Sequence, residues 1–432
     1  MLDQDLLSLK DSLLQNNSID ESMYDHYDVK RGLRNKDGSG VIAGLTKISA
    51  VVGQKKVDDK QTPVDGVLKY RGYMIEELIR RFPKGSRYCF EITTFLLLAG
   101  RFPTEKELKT FIKDMCDHRE LSPDIMNYVI KGFPSKNVMN KLQVGVSALY
   151  SEDENPDSLD AMDNFHTSLK IIAKLPSIIA YSYLNAYKDN PTFAVAPKEM
   201  SVAESFLFML NEGKPATEME AYILDLCLVL HAEHGGGNNS TFATRVVTSS
   251  GSDIYSSLTA GIGSLKGPLH GAANKKVMDM MDDIKANVSK WHDMDELKGY
   301  LTKIIQKKVG DKSGKLYGLG HAVYTLSDPR ALLVKEHAIN LATSKGRMNE
   351  LQLYFDIERE APELFKAIKG SDKVIAPNID FFTGFVYDCL GIDSPLYTSI
   401  FAMARSAGWC AHRIEELLSG KRIIRPGYKY VG

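Results

Sequence analysis

The chain has 432 residues, 44% hydrophobic and 25% charged, the balance of an ordinary soluble globular protein, which excludes disorder, collagen and fibrous repeats. Lys plus Arg number 54 and Asp plus Glu 55, a net charge of −1, so the whole chain carries no electrostatic footprint for nucleic acid or an anionic membrane. No apolar run approaches the roughly 20 residues that cross a bilayer, and the acidic, charge-broken amino terminus reads as neither signal nor transit peptide. Five scattered cysteines, an odd number with no C-x-x-C pair, suit free thiols in a reducing compartment, so a cytoplasmic location is expected.

Helical signals dominate. Leu2, Leu6, Leu9 and Leu13 share one face of a predicted first helix. Between Leu45 and Tyr73 the chain alternates through Val51, Val57 and Val67 with turn residues between, which predicts a small β-ribbon. Thr104 to Glu107 is a capping box, followed at helical spacing by Leu108, Phe111, Ile112, Met115 and Cys116. Ser122-Pro123 reads as a cap with a first-turn proline. Ser201 to Glu204 and Thr217 to Glu220 are two more boxes, separated by a stop at residues 211–215. The second launches Tyr222 to Leu230, apolar nearly all round and so expected to be buried.

Glycine-rich Gly261 to Gly271 and the stretch Val374 to Gly384 read as two breaks. They bracket about a hundred residues, including lysine-rich Lys303 to Lys315, and suggest a domain inserted in a larger one. Nothing alternates strand with helix as a parallel sheet requires, so a doubly wound fold is not expected.

P-loop, G-x-G-x-x-G, G-x-S-x-G and H-E-x-x-H motifs are absent. What stands out is three histidine segments with glycine neighbours: His231-Ala-Glu-His234-Gly-Gly-Gly-Asn238-Asn-Ser240, Gly267-Pro-Leu-His270-Gly271, and Gly318-Leu-Gly-His321 running on to Asp328-Pro-Arg330. Glycine beside histidine lets a ligand approach both ring and backbone. His231 and His234, three apart with Glu233 between, could also begin a metal site, but no further ligand pair completes the set, and no metal is expected.

Asp380 stands between Ile379 and Phe381-Phe382. Apolar surroundings raise a carboxyl's pKa and make it a stronger base, while an Asp before an apolar run equally suits a helix cap. Arg330, Arg405 and Arg425 offer planar forks suited to carboxylates, or are solvated surface charges.

Taken together, the segments around His270, His321–Arg330 and Pro377-Asn-Ile-Asp380-Phe-Phe-Thr-Gly384 resemble the three signature blocks of citrate synthase, in order and at matching distances. The Tyr70–Leu78, His231–Ser240, Arg405 and Arg425 segments extend the likeness, which covers about Arg31 to Tyr430. The resemblance implies an almost all-α fold in two helical domains, a large one over 1–271 and 383–432 and a small one over 272–382, closing over substrate in a homodimer. It implies condensation of acetyl-CoA with oxaloacetate and hydrolysis of the thioester, with the CoA thioester as substrate and no tightly bound cofactor. Asp380 would take the methyl proton, His270 would stabilise the enolate oxygen and His321 would polarise and protonate the ketone. His234, Arg330 and Arg405 would hold the oxaloacetate carboxylates, and Arg425 would complete the neighbouring protomer's site. Ser240, with Asn238 nearby, would orient His270, and the backbone at Lys315, Leu316 and Gly318 would receive the adenine of CoA.

Two departures accompany the likeness. No basic residue lies between His321 and Arg330, where many relatives carry one that meets CoA phosphates, which leaves Arg31 and Arg34 as candidates; and Gly235 replaces an acidic residue. The alternatives are 2-methylcitrate synthase, using propionyl-CoA with the same groups, a non-catalytic helical scaffold or sensor, and a metal-dependent hydrolase. One methylene in a pocket is worth only about 1–3 kcal/mol, so the motifs leave the acyl group open.

Overall fold

A computed structural model of the chain describes residues 16–57, 60–370 and 374–431. The helix predicted over Leu2 to Leu13 lies outside these residues. The chain divides into two compact units, one made of the residues up to Leu45 together with those from Ile424 on, the other of Thr46–Ile423. The first holds a short helix, α1 (Glu21–His26), capped by Asp20, and a 3-10 turn at Arg31–Leu33 tied to it by an Arg31–Glu21 ion pair of 2.6 Å.

The second unit opens with the predicted ribbon. Strands β1 (Ser49–Val57), β2 (Lys60–Tyr70) and β3 (Tyr73–Met74) form one antiparallel sheet in that order, with Ser49 opposite Tyr70 and an irregularity between Val52 and Gln54. Helices follow: α2 (Ile75–Arg80), α3 (Cys89–Ala99), α4 (Glu105–Asp117), α5 (Val138–Ala148), α6 (Ala161–Tyr187), α7 (Val202–Leu210), α8 (Glu218–His231), α9 (Asn239–Ser249) and α10 (Ile254–Lys266). Then come α11 (Ala273–Asn287), α12 (Met294–Ile305), α13 (Pro329–Lys345), α14 (Met348–Lys369), α15 (Ile379–Cys389) and α16 (Tyr397–Ser419). The fold is all-α apart from the ribbon.

All three capping boxes form at α4, α7 and α8. Ser122 Oγ receives the Ile125 N–H at 3.2 Å, and the run it opens is wound as a π-helix over Ile125–Lys131. The predicted break at Gly261 begins six residues late. Helix α10 runs through Gly261 and Gly263 to Lys266, because Gly261 serves packing: a Cβ there would crowd Thr244 and Trp409. Only residues 267–272 interrupt the helices. The second break likewise stops at Asn378, whose side chain caps α15.

Helix α16 is the centre of the second unit and packs against α3, α5, α6, α8, α9 and α10. Its stretch Ala402-Met-Ala-Arg-Ser-Ala-Gly408 presents small residues to neighbouring backbones, and Trp409 fills the space beside them. Arg405, His412 and Arg413 are also wholly buried on this helix, an expensive placement unless each is hydrogen-bonded. Helix α8 is buried from Ala221 to His231, as its all-round apolar pattern requires. Helices α11 and α13 flank α15, and α12 packs on α14. All five cysteines are free thiols, and no helix among the described residues is long and apolar enough to cross a membrane.

Candidate active site

Four segments of the second unit converge. The first is the turn leaving α8. His231 ends the helix with Nδ1 bonded to Cys227 O at 2.9 Å, and His234 follows, buried, with Nε2 making no hydrogen bond among the described residues. Glu233 turns away toward Ser49, Gly235 and His412. His231 and Glu233 therefore have partners pointing in different directions, and among the described residues no group of three His, Cys, Asp or Glu is placed to hold a metal ion.

The second segment carries His321. Residues 318–320 pair antiparallel with 376–378: Asn378 N donates to Gly318 O (2.8 Å), Gly320 N to Ala376 O (2.7 Å), and the Asn378 amide to Gly320 O (2.8 Å). This pairing fixes His321 and Asp380 to one framework. His321 Nδ1 accepts the N–H groups of Val323 (3.0 Å) and Tyr324 (3.1 Å), so a neutral ring carries its proton on Nε2. Tyr324 stacks on His321 with centroids 4.8 Å apart, His234 meets both rings edge-on at 5.2 and 5.3 Å, and the Arg330 guanidinium lies 5.6 Å over the Tyr324 ring.

Asp380 is in the first turn of α15, but it is not the cap. Asn378 Oδ1 caps the helix, receiving the Asp380 N–H at 3.0 Å. Burial pushes the Asp380 carboxyl up to about 6, and Asp328 adds to the rise, against the opposing charges of Arg330 and Arg405. A carboxyl that titrates near 6 is largely ionised at pH 7 yet more basic than an ordinary one, which suits it to taking a proton. Arg330 is buried in α13 and held in a fork by Asp328, Nε to Oδ1 at 3.0 Å and Nη2 to Oδ2 at 2.8 Å, while Asp328 Oδ2 also receives Ile379 N.

The third segment is 267–272, where His270 sits half-buried before α11. Burial, with the charge of Arg405 behind it, pushes its imidazole down to about 4, so it is neutral at pH 7. His270 Nε2 lies 3.1 Å from Ser240 Oγ at the start of α9. That oxygen also contacts Trp409 Nε1 (3.2 Å) and Asn238 Oδ1 (2.8 Å). Indole N–H only donates, so Ser240 accepts from Trp409 and has one proton for His270 or Asn238. Sent to His270 Nε2, it leaves the ring proton on Nδ1. The fourth segment is α16, whose Arg405 gives Nε–H to His231 O at 2.7 Å while Nη1 is buried without a hydrogen bond among the described residues. Burial lowers Arg405 to about 10, still protonated at pH 7. Burial, reinforced by the charges of Arg330 and Arg405, likewise keeps His234 well below the usual histidine range and neutral.

Of the residues singled out in the sequence, His234, His270, His321, Arg330, Asp380 and Arg405 are therefore linked by contacts or by the charges they exert on one another. Leu316 and Gly318 are buried at the foot of the His321 segment and Lys315 is exposed there. Arg425 is exposed in a segment of the other unit without regular secondary structure. Sequence reading gave no role to Asp328, Tyr324, Trp409 or His412, and considered Glu233 only beside a metal site that it did not expect. Of these only Asp328 had a signal, its place in an Asp-Pro-Arg cap.

Comparison with known proteins follows the same lines. A family model described as citrate synthase, C-terminal domain, matches residues 36–427. The chain is 33% identical over 409 residues to a citrate synthase of Haloferax volcanii, covering 94% of this chain and 96% of that one. It is also 33% identical over 408 residues to a 2-methylcitrate synthase of Mycobacterium tuberculosis, covering 94% and 91%. Its fold matches the Thermoplasma acidophilum citrate synthase, solved as a ternary complex with carboxymethyl coenzyme A and oxaloacetate, with a TM-score of 0.77 at 28% identity over 94% of this chain and 96% of that one. From the histidine–aspartate site, the all-α frame and these matches together, the chain belongs to the citrate synthase family.

Proposed function

We propose that this acyltransferase condenses acetyl-CoA with oxaloacetate and hydrolyses the resulting thioester to citrate and CoA. Asp380 removes a proton from the acetyl methyl group. As the enolate forms, His270 donates its Nδ1 proton toward the thioester oxygen, with Ser240 supplying the hydrogen bond at Nε2 that keeps the ring in that tautomer. The new carbon nucleophile attacks the ketone of oxaloacetate, whose oxygen is polarised and then protonated by His321 through Nε2. His234, Arg330 and Arg405 hold the oxaloacetate carboxylates. Water attacks the thioester last and releases CoA.

The single observation that carries this reading is Asp380: a buried carboxyl raised to about 6 between two arginine charges, on the same paired backbone as His321. A carboxylate made more basic by burial is suited to abstraction from so weak a carbon acid. The relatives' names support the same chemistry, the Thermoplasma acidophilum complex holding a CoA analogue and oxaloacetate.

Three finer assignments belong to the same reading. Residues 272–382 form the small domain, closing on the remainder to exclude water. The backbone at Lys315, Leu316 and Gly318 receives the adenine of CoA. The enzyme is a homodimer in which Arg425, which is exposed, reaches the neighbouring site. A cytoplasmic location fits its free thiols.

The test is release of free thiol from purified protein with oxaloacetate and either acetyl-CoA or propionyl-CoA, with chelator present. Faster release with acetyl-CoA is the expected result. Preference for propionyl-CoA moves the assignment to 2-methylcitrate, the second reading, which the Mycobacterium tuberculosis relative favours at equal identity. Release with neither ends the catalytic reading.

A further inference from the structure

The turn that bears His234 is fastened to α16 residue by residue. Arg405 Nε donates to His231 O (2.7 Å), the Gly408 N–H to Ala232 O (3.1 Å), and His412 Nε2 to Glu233 Oε1 (2.9 Å). Three consecutive turn residues thus meet three helix residues spaced three and four apart, which lie on one face. Gly408 permits the approach, since a Cβ there would strike Glu233 Oε2 and Ala232 O.

Behind His412 the contacts continue. Arg245 Nε donates to His412 Nδ1 at 3.1 Å. Arginine has no acceptor, so Nδ1 must accept, and the Nε2 proton is committed to Glu233. Arg245 is held in turn by Glu415 and, at 2.6 Å, by Glu416. At the other end Glu233 Oε1 also receives Ser49 Oγ (2.8 Å) and Gly235 N (2.6 Å). Glu233, His412 and Arg245 are buried. Burying a chain of charges this long is costly, and helix packing alone would be better served by apolar side chains.

We propose that Glu233, His412 and Arg245 are positioning residues for oxaloacetate: they lock the turn to α16 so that His234 and Arg405, on either side of the seam, present to one substrate together. This rests on the reading that His234 and Arg405 bind the oxaloacetate carboxylates. Cutting the chain at His412 leaves Glu233 and Arg245 facing an apolar side chain and lets the turn shift against the helix. A displacement near 1 Å in a binding group costs roughly tenfold to a hundredfold.

The test uses the full-length protein with His412→Leu, His412→Gln and Ser49→Ala, the last removing one Glu233 donor without touching α16. For His412→Leu the KM for oxaloacetate is expected to rise at least about tenfold, with that for acetyl-CoA within about twofold. Glutamine, which accepts from Arg245 and donates to Glu233, should recover most of the loss, and Ser49→Ala should show the same one-sided change, smaller. Calorimetric titration of oxaloacetate into each protein separates two failures. If the native protein binds no oxaloacetate, the reading of the site falls. If it binds and folded His412→Leu and Ser49→Ala bind equally well, or both KM values move together, the positioning role is overturned. If His412→Leu does not fold, an unchanged oxaloacetate KM in Ser49→Ala also overturns it.

Discussion

His234 and His321 lie with ring centroids 5.2 Å apart, yet the chain holds them by opposite means. The turn at His234 is fixed largely by buried side chains from β1, α9 and α16, several of them charged. The segment at His321 is fixed by backbone: pairing with 376–378, two N–H groups on Nδ1, and glycines that let the ribbon lie against it. A Cβ at Gly53 would run into Val323 O, and one at Gly66 into Ser327 O and the Tyr324 ring. Backbone hydrogen bonds do not depend on which side chain is present. The first region should therefore fail when a side chain is changed, and the second when the backbone is forced.

Asp380 stands where both regions act on one group, and replacing it should have the largest effect. Asp380→Asn is expected to lower kcat by roughly 10²- to 10⁴-fold in the thiol-release assay. In the native enzyme kcat/KM for acetyl-CoA should fall about tenfold per pH unit below about 6, where the carboxyl takes up its proton. The same shift has a stability consequence of fixed sign. The folded chain holds this proton up to about pH 6, whereas the unfolded chain releases it near the ordinary value of 3.8. Stability conferred by this group is therefore lost as pH rises between those values, at a cost of about 3 kcal/mol once both states are ionised. Asp380→Asn should melt higher than the native protein at pH 8 and lose that advantage toward pH 4. A lower melting point at pH 8 would make Asp380 a structural partner.

Next in size is Gly318→Val. Gly318 has φ +79°, and a side chain there would press on Phe381 and Val277, directly beneath Asp380. The strain alone is about 1–3 kcal/mol, and it is delivered into the backbone that joins His321 to Asp380. A loss in kcat of about a hundredfold is expected, with the oxaloacetate KM little changed. Tyr324→Leu, in the same segment, leaves the backbone pairing intact and should raise the oxaloacetate KM only about threefold, from lost packing on His321 and His234. If Tyr324→Leu hurts more than Gly318→Val, the division between the regions is wrong.

What the sequence disclosed follows the same physics. Capping boxes, the buried helix α8, the ribbon and the histidine segments are local signals, written within ten residues or so, and they were readable. Gly261 misled because a glycine that serves close packing against Trp409 looks like one that breaks a helix until the partner is known. Asp380 fitted cap or base until Asn378 took the cap. The roles of Glu233, His412 and Trp409 were invisible because they depend on partners up to 179 residues away.

Two smaller changes probe the regions one bond at a time. Trp409→Phe keeps a ring in the core but removes the N–H given to Ser240 Oγ, so the hydroxyl loses one of the bonds that orient it toward His270. A fall in kcat of about three- to tenfold is expected, with oxaloacetate binding by calorimetry unchanged. The smallest effect belongs to Ser327→Ala. Ser327 Oγ accepts from Gly66 N at 3.2 Å and donates to Asp65 Oδ1 at 2.9 Å, one side-chain link between the ribbon and the backbone-held segment. Removing it should cost about 1 kcal/mol or less in stability and under about twofold in kcat/KM, because the segment's position comes from the 318–320 and 376–378 pairing. A tenfold loss would mean that the Ser327 link, rather than the paired backbone, sets where His321 points, and the contrast between the two regions would not survive it.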